Sequence, residues 1–168
     1  MVNRMMLILL ILSSITYSHA QTCQGPQASS FVIKSDTFLE IVNQNMIYLQ
    51  QAVLCNPNNS LRGLLDSKCI WKDINYLSGT ETVYFRVEFS INGVLSESTL
   101  KLAGDDSVII ELNGARATEC DGGTHSNLIT CNITSRLRAG KNTAIFTVTD
   151  YGGLGGLVFI LTINTISS

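Results

Sequence analysis

A period-two alternation of apolar and polar residues dominates the chain from residue 82 onward. In the segment TVYFRVEFSI, apolar side chains occupy every second position, at Val83, Phe85, Val87, Phe89 and Ile91. Successive side chains of a β-strand point to opposite faces, so this pattern predicts a strand with one buried face. Asn-Gly follows directly, and an Asn-Gly pair between alternating runs indicates a tight hairpin turn.

Four later segments also read as strands. They are STLKL at 98–102, SVIIEL at 107–112, NTAIFTVT at 142–149 and LVFILTI at 157–163. A second Asn-Gly pair, Asn113-Gly114, follows SVIIEL. The last segment is apolar on both faces, which predicts a central strand buried on both sides. Many short strands separated by turns predict an all-β fold, an antiparallel β-sandwich or jelly roll.

Residues 31–43 fit two structures. Thr37 and Glu40 have the spacing of a capping box, which opens a helix. A loose match between residues 35–44 and residues 105–114 instead favours a strand. We therefore predict a strand over 31–43.

The N-terminus has the layout of a secretory signal peptide. Arg4 precedes an apolar run from Met5 to Ile15, and small and polar residues follow as far as Ala20. The run is shorter than the roughly 20 apolar residues of a transmembrane helix, so no membrane span is expected. We predict a signal peptide over 1–20, one β-sandwich domain over 21–168 and a secreted, extracellular protein.

The cysteines and two sequons fit an extracellular chain. Disulfides persist in oxidising compartments, and pairing of neighbours joins Cys55 to Cys69 and Cys120 to Cys131, although sequence alone leaves the connectivity open. Cys23 then has no partner in this pairing, and it could link two chains through an intermolecular disulfide. Pairing through an edge strand is the other candidate route to self-association. The triplets Asn58-Asn59-Ser60 and Asn132-Ile133-Thr134 make Asn58 and Asn132 candidate glycosylation sites.

Three segments occur in the order seen in a known fold: YFRVEF at 84–89, LAGDDSVIIELNG at 102–114 and NITSRLRAGKNTAIFTV at 132–148. Together they resemble the galactose-binding-domain-like β-sandwich. That jelly roll occurs as the non-catalytic sugar-binding domain of family 2 glycoside hydrolases and in carbohydrate-binding modules. The resemblance implies a binding module without catalysis. Its members bind sugars, calcium, lipid headgroups or proteins, so the fold leaves the ligand open.

The change of direction from each strand to the next predicts which end of the sandwich would bind a ligand. If each strand from residue 82 crosses the sandwich once, the Asn-Gly turns lie at one end and the longer loops at the other. A sugar needs a flat apolar surface and hydrogen-bond acceptors, which the loop end supplies. The predicted residues for a carbohydrate or glycoprotein partner are Asp150, Tyr151, Asp105, Asp106, Asp121 and Trp71.

Each of these assignments has a structural alternative. Asp105 and Asp106 are also typical turn residues, and Trp71 also suits the core. Calcium prefers oxygen ligands, so Asp105, Asp106 and Asp121 are candidate ligands for calcium, the one ion expected. No other cofactor is expected. We interpret His125 as a solvated loop residue and GGLGGL at 152–157 as a mobile loop.

Other functions receive less support from the sequence. The formal net charge is −2 and no basic stripe occurs, which argues against nucleic-acid binding. One histidine follows the predicted signal peptide and no G-x-S-x-G motif is present, so we predict no enzyme. The alternative to a carbohydrate-binding module is a secreted structural or adhesive β-sandwich that assembles with itself or with partner proteins.

Overall fold

Twelve β-strands form two packed sheets in residues 26–75 and 78–167, the part of the chain that the computed structural model describes. In chain order the strands are β1 (Ala28–Lys34), β2 (Glu40–Val42), β3 (Tyr48–Gln51), β4 (Val53–Leu54), β5 (Ile70–Trp71), β6 (Glu81–Ile91), β7 (Val94–Asp105), β8 (Ser107–Leu112), β9 (Ala115–Arg116), β10 (Ile129–Asn132), β11 (Gly140–Asp150) and β12 (Gly156–Ile166). Two single 3-10 turns cover Thr118–Cys120 and Thr134–Arg136. The predicted signal peptide and Cys23 lie outside the described residues.

Both sheets are antiparallel, which confirms the predicted all-β sandwich. One sheet has the order β10-β7-β12-β5-β4, and β1 also pairs with β12. The other has the order β3-β2-β6-β11-β8-β9. β12 is central in its sheet, as its apolar sequence predicted. Over the described residues, no helix is long and apolar enough to cross a bilayer.

The inward faces of the strands form the core between the sheets. Phe146 on β11 and Phe159 on β12 stack across the interface with ring centroids 4.3 Å apart. Trp71 on β5 packs against Phe85 on β6 at 5.9 Å. Complete burial of each such ring contributes about 2–3 kcal/mol by transfer from water. The alternation read from the sequence therefore identifies the buried face of the sheets.

The N-terminal region differs in part from its predicted strand. β1 ends at Lys34 and β2 begins only at Glu40, so a turn interrupts residues 31–43. In that turn the Thr37 amide donates to Oδ1 of Asp36 at 2.6 Å. No helix forms there because Glu40 pairs in register with Arg86 of β6 and makes an ion pair with it.

Both predicted disulfides are present. Cys55 is joined to Cys69 and Cys120 to Cys131. The first bridge closes a loop that contains two buried residues, Asn59 and Leu61. Such disulfides are typical of extracellular proteins.

The two Asn-Gly turns lie at the same end of the sandwich, opposite the longer loops. Asn113 and Gly114 both have left-handed φ values, of 52° and 82°, as a tight hairpin turn requires. The hairpin predicted at the other Asn-Gly pair is wrong, because β6 and β7 lie in different sheets. Asn92-Gly93 instead carries the chain from one sheet to the other, and only Gly93 has positive φ there, at 91°. A Cβ on Gly93 would lie 2.9 Å from the carbonyl oxygen of Ile166, so a larger residue would disturb the end of β12.

Candidate functional site

Strand register brings the predicted acidic loops together. Asp105 ends β7 opposite Gly156 of β12, and Asp150 ends β11 opposite Glu81 of β6. At the opposite end, β7 begins after the Asn92-Gly93 turn, and β11 begins at Gly140, which pairs with Ile91 just before that turn. The loops that follow Asp105 and Asp150 therefore share one end of the sandwich. We call the cluster of Asp105, Asp106, His125, Asp150 and Tyr151 at this end the acidic mouth.

Backbone hydrogen bonds join the two loops of the acidic mouth. The Asp106 amide donates to the carbonyl of Thr149 at 2.8 Å, and the Tyr151 amide donates to Oδ2 of Asp106 at 2.8 Å. The Gly152 amide donates to Oδ1 of Asp150 at 2.8 Å. The peptide bond between Asp105 and Asp106 is cis. These contacts hold the backbone of Tyr151 beside the Asp106 carboxylate.

His125 belongs to the acidic mouth, whereas the sequence interpretation treated it only as a solvated loop residue. Its Nδ1 lies 3.6 Å from Oδ1 of Asp105 and 3.6 Å from Oδ1 of Asp106. The loop that carries it is closed by the Cys120–Cys131 disulfide, and Gly123 bridges to Val108 of β8. The predicted disulfide was the available signal, because it returns this loop toward the sheets. Ligand atoms of Asp105, Asp106 and His125 all lie within 4.8 Å of one another.

Asn59 is a second residue that sequence reasoning missed. Its side chain is buried, and its Nδ2 donates to the carbonyls of Leu154 and Gly155 and to Oδ2 of Asp105, the last at 3.3 Å. Asn59 thereby connects the disulfide-closed loop after Cys55 to the acidic mouth. The sequence shows Asn59 only as the middle residue of a sequon, which does not indicate this role.

Two predicted site residues lie outside the acidic mouth. Trp71 is 1% exposed and fills the core against Phe85, so it is not a surface for a sugar ring. The carboxylate of Asp121 is bound by Arg116, whose Nη2 lies 2.9 Å from Oδ2. Asp121 does not join the group formed by Asp105, Asp106 and His125. The structural alternative is therefore correct for Trp71.

The glycine-rich segment after Tyr151 is also packed at its C-terminal end. Gly155 and Gly156 are buried, and Gly155 lies against the indole ring of Trp71. The interpretation of 152–157 as a mobile loop is wrong at these two positions. The close approach of the backbone to Trp71 leaves no space for a side chain.

Burial and neighbouring negative charges raise the pKa values of two aspartates in the mouth. Burial, followed by the charge of Asp106, raises the pKa of Asp105 from 3.8 to about 6, against the opposing influence of His125. Burial likewise raises the pKa of Asp150, and the charge of Asp106 adds to this effect. The mouth therefore holds partly buried carboxylates whose like charges oppose one another.

Replacing Asp105 by Asn is expected to stabilise the chain in EDTA at neutral pH. The pKa of Asp105 is higher in the folded than in the unfolded state, so its contribution to stability is present below about pH 4 and is lost as the pH rises through about 6. Because one pKa unit corresponds to about 1.4 kcal/mol, we expect Asp105→Asn to raise the free energy of unfolding by about 1–3 kcal/mol at pH 7.

Urea unfolding across this pH range measures the effect. The difference between Asp105→Asn and the parent should shrink as the pH falls below about 6 and should vanish only below 3.8, where the parent carboxyl is protonated in both states. Asp121→Asn is the control, because its carboxylate is ion-paired with Arg116 and should show no gain. Equal stabilities of Asp105→Asn and the parent at neutral pH would contradict the prediction.

A groove of about 470 Å³ is formed by residues of β2 and β6, and it includes Glu81, the register partner of Asp150. Its lining includes Leu49, Lys72, Glu81 and Tyr84. Lys72 and Glu81 form an ion pair within it. None of the predicted site residues contributes to its wall.

Comparison with known proteins supports the fold. No protein-family model and no curated protein matches the sequence. Among solved structures, a β-glucuronidase from Ruminococcus gnavus is similar with a TM-score of 0.51 and 11% identity, and the match covers 80% of this chain and 29% of that enzyme. At this identity the likeness concerns the fold alone, and it agrees with the predicted galactose-binding-like sandwich.

Two further glycosidases show weaker likeness. An α-L-rhamnosidase from Streptomyces avermitilis matches with a TM-score of 0.46 and 16% identity, over 55% of this chain and 10% of that enzyme. A β-D-mannosidase from Dictyoglomus thermophilum matches with a TM-score of 0.44 and 16% identity, over 70% of this chain and 15% of that enzyme. This chain spans less than a third of the length of each of the three enzymes.

Proposed function

We propose that this chain is a secreted, non-catalytic module that binds carbohydrate, alone or on a glycoprotein, at the acidic mouth. One observation carries the proposal: the Tyr151 side chain is 66% exposed, and its backbone amide is bonded to the Asp106 carboxylate. The backbone of an exposed aromatic residue is therefore held beside hydrogen-bond acceptors.

This arrangement suits the chemistry of sugars. The C–H face of a pyranose ring is apolar and packs on an aromatic ring, while its hydroxyls donate to carboxylates. Tyr151 supplies the ring, and Asp105 and Asp106 supply the acceptors. Binding residues concentrate on loops that a rigid scaffold positions, and the two sheets provide that scaffold.

The size of the matched region supports a binding role rather than catalysis. The chain spans 29% of the β-glucuronidase that shares its fold, which is the size of an accessory domain. Two disulfides support secretion. Asn58 and Asn132 are both exposed, which supports the prediction that they carry glycans.

A glycan array tests the proposal, with the parent compared to Tyr151→Ala. Loss of aromatic stacking is worth roughly 1–1.5 kcal/mol, so affinity for any glycan bound should fall about tenfold while the melting temperature stays unchanged. Tyr48→Ala is a matched control, since Tyr48 is an exposed tyrosine on β3 and not part of the mouth. Repeating the array with a chelator tests the further prediction that calcium assists binding.

The outcomes separate two possible sites. Binding that is lost in Tyr84→Ala and kept in Tyr151→Ala would move the sugar site to the neighbouring groove, which Tyr84 lines. An array without any bound glycan, in both the presence and the absence of chelator, would refute carbohydrate binding.

Self-assembly is the second candidate function, and β3 favours it. This strand ends the order of its sheet, and all four of its residues are exposed. Ile47, Tyr48 and Leu49 form an exposed apolar run at this edge. Unprotected edge strands pair readily with other chains. Sedimentation analysis would show a dimer that Leu49→Lys dissociates, whereas a monomer at all concentrations would exclude this function.

A further inference from the structure

Three metal-ligand types converge in the acidic mouth. His125 Nδ1 lies 3.6 Å from Oδ1 of each of Asp105 and Asp106. In a tetrahedral site with metal–ligand bonds of about 2.0–2.2 Å, ligand atoms lie about 3.3–3.6 Å apart. The spacings from the imidazole to both carboxylates thus match one shared ion, and all three ligand atoms lie within 4.8 Å of one another.

The other oxygen of each carboxylate is held by a separate hydrogen bond. Oδ2 of Asp105 accepts from Nδ2 of Asn59 at 3.3 Å, and Oδ2 of Asp106 accepts from the Tyr151 amide at 2.8 Å. Both Oδ1 atoms consequently face His125. Outer hydrogen bonds of this kind orient the ligands of metal sites and strengthen metal binding.

A buried carboxylate oxygen provides an independent observation. Asp150 is 1% exposed, and its Oδ2 is buried without a hydrogen-bond partner in the described structure. Asp150 has the same strand parity as the core residues Phe146 and Val148, so its side chain points between the sheets at the mouth. It follows Thr149, whose carbonyl accepts from the Asp106 amide at 2.8 Å, so Asp150 lies next to the proposed ligands. A buried carboxylate without a partner is costly, and the charge of a cation bound by the neighbouring Asp105, Asp106 and His125 would reduce that cost.

We propose that the acidic mouth binds a transition-metal ion of the Zn²⁺ class through His125 Nδ1 and Oδ1 of Asp105 and Asp106, which leaves a fourth position for a water molecule. An imidazole nitrogen among carboxylates favours Zn²⁺ and similar ions, whereas Ca²⁺ takes about six to eight oxygen ligands. The inferred ion therefore differs from the calcium expected from the sequence. Asp121, the third calcium ligand expected, is bound to Arg116 instead.

Such an ion would order the carboxylates beside Tyr151. In this respect the inference rests on the proposed function, because it describes how the sugar acceptors are held. Metal binding itself is measured without any sugar, so the two proposals fail separately.

Isothermal titration of the tag-free protein with ZnCl₂ tests the inference. A Cys23→Ser background removes the fifth cysteine as a competing ligand. We expect one ion per chain, and His125→Ala and Asp106→Asn should each weaken binding roughly tenfold or more. Asp121→Asn is the matched control, a carboxylate on the same disulfide-closed loop but outside the cluster, and it should bind Zn²⁺ as the parent does. Co²⁺ should give the intense visible bands of a tetrahedral ion, and His125→Ala should abolish them.

Each outcome of these measurements either supports or overturns the proposed metal site. Stoichiometric Zn²⁺ binding that requires His125 supports the site, even if the glycan array stays blank. Absence of Zn²⁺ binding overturns it and leaves His125 as an ion-pair partner of the two aspartates, even if the array shows a sugar. Binding of Ca²⁺ in preference to Zn²⁺, unchanged in His125→Ala, would overturn the assigned class of metal.

Discussion

Gly155→Ala is expected to lower the free energy of unfolding by about 3 kcal/mol. A Cβ at this position would overlap Cε2 and Cζ2 of Trp71 and would lie 2.7 Å from Nε1. The Trp71 ring cannot move away, because it is 1% exposed and packs on Phe85. Overpacking of a filled core costs about 1–3 kcal/mol, and occasionally more when a rigid ring must shift.

Urea unfolding of Gly155→Ala measures this loss, with Gly79→Ala as the matched control. A Cβ on Gly79 meets no atom within 4 Å, and its φ lies outside the left-handed region. Gly79→Ala should therefore leave stability nearly unchanged or raise it slightly, by restricting the unfolded chain. A Gly155→Ala variant as stable as Gly79→Ala would show that the loop after Tyr151 yields easily, contrary to its packing on Trp71.

The close packing of Gly155 also bears on function. The Gly155 carbonyl accepts from Nδ2 of Asn59, which also donates to Asp105. The glycine-rich loop, the disulfide-closed loop and the acidic mouth are thus connected through one amide. A change that displaces Gly155 should disturb the carboxylates of the mouth as well as the core beneath them.

The two sheets were predictable from sequence because the alternation is regular after residue 82. Val83, Phe85 and Phe146 follow a period of two, and each is buried in the core. Strand parity also predicted that the loops after Asp105 and Asp150 share one end. That prediction needed only the direction of successive strands, which short turns determine.

The remaining details depend on contacts between distant parts of the chain. Asn59 reaches Asp105 across 46 residues, and no local pattern marks such a contact. His125 lies on a loop without periodicity, so its position depends on the Cys120–Cys131 disulfide. Asp121 is also an aspartate in a loop, so the sequence does not distinguish it from the aspartates of the mouth. In the structure its carboxylate is instead paired with Arg116. Strand direction places several aspartates at one end of the sandwich, but the sequence does not show which of their carboxylates lie close together.

Removal of the Cys55–Cys69 disulfide by the double substitution Cys55→Ala, Cys69→Ala is expected to lower the free energy of unfolding by about 3 kcal/mol. The bridge closes a loop with a sequence separation of 14 residues, and the chain-entropy model gives about this value for a loop of that length. The loop carries Leu61, which is fully buried, and Asn59, which holds the glycine-rich loop. Loss of the bridge frees both residues in the unfolded state and weakens their positions in the folded state.

The double variant Cys120→Ala, Cys131→Ala is the matched comparison, since it opens a loop of similar separation, 11 residues, at the other side of the mouth. The entropy model predicts nearly equal losses for the two pairs, measured by urea unfolding. Their effects on Zn²⁺ binding should differ, because only the second pair closes the loop that carries His125. The Cys55–Cys69 variant should keep His125 as a ligand and lose affinity through Asn59 alone. If the Cys120→Ala, Cys131→Ala variant binds Zn²⁺ as tightly as the parent, the disulfide does not position His125, and sheet contacts such as the bridge between Val108 and Gly123 do so instead.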